Sequence, residues 1–86
     1  MLSDNILWAI LSTLENEYPN PVENAEDLLP NHPEKDVILK HICYLCEEQF
    51  IKAIPVREDD SIIDYKDITA TSAGIDFLGT LAPSSK

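Results

Sequence analysis

The second half of the chain constrains the fold most. A helix-patterned segment from Pro33 to Gln49 runs into Phe50-Ile51-Lys52-Ala53-Ile54. An acidic turn follows at Glu58-Asp59-Asp60-Ser61, then a second apolar run, Ile62-Ile63-Asp64-Tyr65. The chain continues as Ile68-Thr69-Ala70-Thr71-Ser72-Ala73-Gly74-Ile75-Asp76-Phe77-Leu78, which contains T-x-x-G-x-x-F-L. A helix feeding two short strands, themselves closed by another helix, leaves few ways to bury every apolar face.

With 86 residues the chain has room for one core. We read residues 1–82 as a single domain and residues 83–86 as a frayed tail. Sixteen acidic residues against six basic ones give a formal charge of −10. That balance disfavours nucleic acid or an anionic membrane as the main partner, because each phosphate contact needs a cation. The run Ile6-Leu7-Trp8-Ala9-Ile10-Leu11 is too short to span a bilayer and lacks a signal-like cleavage site. Cys43 and Cys46 lie three apart in one helical segment, poor geometry for a disulfide framework. A soluble, reducing, cytoplasmic setting is expected.

In the first half, Ser3 or Asp4 can cap a helix whose buried stripe is Ile6, Leu7, Ile10, Leu11 and Leu14. Pro19 and Pro21 stop it near Tyr18. Val22 to Leu29 reads as a short second helix, and Pro30-Asn31-His32-Pro33 as the break after it. The third and longest helix runs from about Glu34 to Gln49. Strands are expected over Ile51–Arg57 and Ile62–Thr69, with Pro55 suited to an edge strand. A last helix spans about Thr71 to Leu81. This order defines an α+β fold: a winged helix-turn-helix of three helices, a β-hairpin wing and a C-terminal helix. A third strand could come only from Asn20-Pro21-Val22.

The run His41-Ile42-Cys43-Tyr44-Leu45-Cys46-Glu47-Glu48-Gln49-Phe50-Ile51 resembles the pattern H-I/L-x-x-L-x-E-x-G-L-I of many bacterial winged-helix proteins. Ile68 to Leu78 is similar to the L-T-x-x-G-x-x-F-L that closes their wing. The chain thus resembles a family of small uncharacterised winged-helix proteins of bacteria and prophages, a domain of unknown function. The resemblance spans roughly residues 4 to 80 and speaks to fold rather than activity. It departs at Gln49, where the pattern has a glycine that ends the helix with positive φ.

Cys43-x-x-Cys46 sits in mid-helix, away from the helix N-terminus that activates redox thiols. His41 and Cys43, two apart on a helix, point to different sides. We therefore expect packing cysteines, with neither metal nor cofactor. Glu58-Asp59-Asp60 reads as a solvated hairpin turn. No phosphate-binding loop, dinucleotide fingerprint or nucleophile motif appears, so an enzyme is not expected.

Two functions remain. A DNA-binding regulator, acting as a dimer, would use Lys35, Lys40, His41 and Tyr44 of the third helix and Arg57 of the wing. Against these stand Glu34, Asp36, Glu47 and Glu48 on the helix, and five acids on the wing. A protein-interaction module would instead use Trp8, Tyr44 and Tyr65 as aromatic anchors, a strand edge near Pro55-Val56, and the acidic turn Glu58, Asp59 and Asp60. The charge favours the second, a non-enzymatic interaction or regulatory protein. A homodimer through the first or last helix suits either.

Overall fold

The computed structural model describes residues 2–18, 20–29 and 34–81. The expected break at Pro30–Pro33, the stop at Pro19 and the tail 83–86 lie outside them. Helix α1 spans Asp4–Glu17 and is capped by Ser3, whose hydroxyl accepts from the Ile6 amide. Leu7, Ile10, Leu11 and Leu14 are buried at three- and four-residue spacing, and Ile6 packs at the margin of the same core. Tyr18 leaves helical geometry with ψ at 138°.

The expected second helix is reduced to one 3-10 turn, Ala25–Asp27. Its N-cap, Asn24, accepts from the Asp27 amide, the kind of local bond that competes with a full helix. Just before it, Val22 pairs with Ile68, amide to carbonyl in both directions at 2.8 Å. The doubtful third strand thus exists as a single bridge. So short a segment gains more from fixing Val22, Ala25 and Leu28 in the core than from a nucleus of helix.

Helix α2, Lys35–Glu47, buries Ile38, His41, Ile42 and Leu45. Gln49 takes φ 64°, so the helix ends as the glycine pattern would end it, without the glycine. The Phe50 amide reaches back to the Leu45 carbonyl at 2.9 Å and the Gln49 amide to Cys46 at 3.0 Å. These bonds satisfy carbonyls that the helix end leaves open.

Strands β1, Ile51–Glu58, and β2, Ser61–Ala70, form one antiparallel hairpin. Asp59 and Asp60, with φ 52° and 67°, make its two-residue turn. Two bulges interrupt β2. Lys52 pairs with Thr69 but Ile54 with Lys66, and Asp67 takes up the extra residue with φ 52°. Val56 pairs with Asp64 but Arg57 with Ile62, which leaves Ile63 unpaired.

Helix α3, Ser72–Thr80, is locked to the end of α2. The Thr71 hydroxyl accepts from the Gly74 amide at 3.1 Å and lies 2.9 and 3.0 Å from the Gln49 and Phe50 carbonyls. A β-carbon on Gly74 would overlap the Phe50 carbonyl oxygen. The T-x-x-G motif is therefore a packing device: threonine caps, and glycine lets α3 approach. Phe50 and Phe77 stack over this junction, centroids 4.3 Å apart. The whole is an α+β arrangement of three helices and a two-stranded hairpin.

Candidate interaction surface

The outward side of α2 carries few free cations. Lys35 is half-buried, with its Nζ 3.7 Å from both Glu26 Oε2 and Asp64 Oδ2. Ion pairs this long and this exposed contribute little stability, but they hold the ammonium back toward the domain. Lys40 is exposed between Asp36 and Glu47, also exposed. Tyr44 is half-buried against the core.

His41 corrects the expectation of a base contact. It is 1% exposed, and both ring nitrogens are engaged by backbone. The Ser3 amide donates to Nε2 at 2.8 Å, so Nδ1 is the protonated nitrogen and donates to the Val37 carbonyl at 2.6 Å. His41 joins the start of α1 to α2 and cannot read a surface ligand.

Tyr65, expected as an exposed aromatic, is 4% exposed. Burial pushes its phenol well above the usual range, and the neighbouring Cys43 thiol adds to the shift. Burial likewise raises the Cys46 thiol, helped by Cys43 and Glu47. Both cysteines are half-buried and free, and Cys43 Sγ lies 3.8 Å from Glu47 Oε2. Cys46 also lines a shallow groove of about 430 Å³ with Gln49, Lys52 and Thr71. Among the described residues no three His, Cys, Asp or Glu side chains converge as a metal site would require.

The hairpin carries the exposed chemistry. Arg57, Glu58, Asp59 and Asp60 are all exposed at its tip. Behind them, Ile54 and Ile63 are 48% and 41% exposed, with Val56 and Ile62 half-buried. Periodicity could not single out Ile63, because the bulge that places it breaks the alternation. Trp8 is half-buried against the core, while Tyr18 is exposed.

Neither edge of the hairpin is a ready template for another strand. The Thr71 amide bonds the Phe50 carbonyl, which makes Lys52 and Thr69 the facing hydrogen-bonded pair. Alternation then turns Pro55 to the free edge of β1, where its missing amide leaves a gap. On the β2 side, Asp64 Oδ1 accepts from the Tyr65 amide at 2.8 Å and the Ala25 amide at 3.0 Å. The edge near Pro55-Val56 is blunted, so any contact there runs through side chains.

Compared with family models, curated proteins and solved structures, the chain matches none. No helix among the described residues is long and apolar enough to cross a membrane.

Proposed function

We propose that this chain is a non-enzymatic winged-helix protein that acts by binding another protein. The carrying observation is where its charge sits. A DNA-binding version of this arrangement needs cations along α2 and the hairpin to meet phosphates. Here Lys35 is held by Glu26 and Asp64, His41 is internal, and Arg57 shares its tip with three carboxylates. Of the cations expected to meet DNA, Lys40 and Arg57 stay exposed, each beside acids, and the hairpin adds exposed Lys52 and Lys66 against Glu58, Asp59, Asp60 and Asp67.

The test is a pair of NMR titrations of labelled protein at low salt. One uses mixed-sequence duplex DNA and the other oligolysine, a probe for recognition of a basic partner. We expect no shifts with DNA and saturable shifts with oligolysine. Shifts with DNA at Lys40, Tyr44 and Arg57, lost steeply on adding salt, would establish the DNA-binding regulator instead.

A further inference from the structure

Both bulges of the hairpin fall in β2, so side-chain alternation along β1 is unbroken from Ile51 to Glu58. Ile51 is buried and turns to the core, which puts Lys52, Ile54, Val56 and Glu58 together on the opposite, outward face. Their partners across the hairpin extend that face, Lys66 beside Ile54 and Asp64 beside Val56. Lys52, Lys66 and Glu58 are exposed, and among the described residues no ion pair engages any of them. Ile54 is 48% exposed and Val56 half-buried. From the root of the hairpin to its tip, the outward row of β1 is therefore cation, apolar, apolar, anion.

We propose that this face is a homodimer interface, with the hairpins of two copies stacked antiparallel. On this face a purely basic surface answers Glu58 but meets Lys52 and Lys66 with like charge, and a purely acidic one does the reverse. The row needs its own reverse, and a second copy turned end for end supplies it. A two-fold axis across the strands at Pro55 sets Lys52 against Glu58 of the partner subunit, and Ile54 against Val56 of the partner subunit. The same axis brings Lys66 to Asp64 of the partner subunit. In each copy Asp64 Oδ1 already holds the Ala25 and Tyr65 amides, so Oδ2, 3.7 Å from Lys35, is the oxygen left for that pair. A parallel arrangement would set Lys52 on Lys52 and Glu58 on Glu58. Aligned sheets pack about 10 Å apart, a gap that isoleucine and valine fill from both sides. Pro55 blunts the β1 edge, which favours stacking over addition of a strand. These side chains are far fewer than the roughly 20–30 a side of a stable interface, so the dimer is weak and forms at high concentration.

The test follows the full chain by NMR and sedimentation equilibrium from about 10 μM to about 1 mM, at about 0.15 M salt to screen repulsion between the acidic copies. Amides of Lys52–Glu58 and Asp64–Lys66 should shift with concentration as the mass rises toward that of a dimer. Lys52→Glu and Glu58→Lys should each weaken association by about tenfold. Mixed together, the two variants should restore it, because each row then faces its opposite. Ile54→Ser should also weaken it by about tenfold, with the charge unchanged. Every variant is first shown to keep the dispersed spectrum of the native chain.

Glu58→Lys lowers the net negative charge, so a tighter dimer from that variant would mean that overall repulsion governs association, and would overturn the proposal. A monomer throughout, shifts confined to α1 or α3, or a mixture no tighter than its components would overturn it too. The dimer does not rest on the protein partner proposed above. A monomer leaves that partner standing, whereas DNA shifts in the earlier titration would remove the partner and leave the dimer.

Discussion

At residue 74 a single hydrogen decides whether α3 can close on the end of α2. Any β-carbon there meets the Phe50 carbonyl, which already accepts from the Thr71 amide. Gly74→Ala should therefore cost about 1–3 kcal/mol, seen as a lower urea midpoint with an unchanged slope. Thr71→Ala removes the cap and should cost about 1 kcal/mol in the same assay. Gln49 is the opposite case. Its φ of 64° carries a left-handed penalty that glycine escapes. Gln49→Gly should stabilise by about 0.5–1 kcal/mol, since relief of that strain exceeds the extra freedom glycine gives the unfolded chain.

Tyr65 supplies a pH test. Its folded phenol titrates above its unfolded value, so the folded state holds the proton more tightly. The associated stability is present below about pH 10 and is lost as pH rises toward the folded value. Ultraviolet titration should show one of the three tyrosines refusing to ionise until the protein unfolds. Tyr65→Phe should abolish that delayed step and reduce the alkaline loss of stability.

At the scale of elements, the hairpin is the part whose local sequence least favours its geometry. Its turn uses aspartate at both positive-φ positions, where asparagine and glycine fit better. Replacing Asp59-Asp60 with Asn-Gly should raise the melting temperature, and a turn that gained nothing would mean its strain is relieved elsewhere. Asp64 then fixes the hairpin to the 3-10 turn. Asp64→Ala leaves the Ala25 and Tyr65 amides without their acceptor and should cost about 1–3 kcal/mol. Asp64→Asn keeps an oxygen there and should cost much less, because the Lys35 pair it loses is long and partly exposed. Equal losses in the two variants would give the ion pair a larger share than its geometry allows.

For the whole molecule, sixteen acids against six bases mean that compaction works against self-repulsion. Moderate salt should raise the melting temperature by screening it, before any specific ion effect. The same excess disfavours DNA as a partner. Its distribution matters more than its sum: Lys35 is drawn toward acids of its own domain, while among the described residues no ion pair engages Glu58, Asp59 or Asp60.

The sequence by itself determined the elements wherever one signal dominated a long segment. Leucine and isoleucine at helical spacing marked α1 and α2, and two apolar runs across an acidic turn marked the hairpin. T-x-x-G marked the start of α3 through a cap that is local to it. Tertiary structure decided what depends on partners distant in sequence. Residues 22–29 hold one 3-10 turn in place of a helix: the segment is short for helix nucleation, and Val22 is bridged to Ile68, 46 positions away. His41 looked like a surface reader until the Ser3 amide, 38 residues away, took its free nitrogen. One bulge moved Ile63 out of the ladder, and no period-two pattern carries that information. Local periodicity records which face a residue would present; only the fold records what is already waiting there.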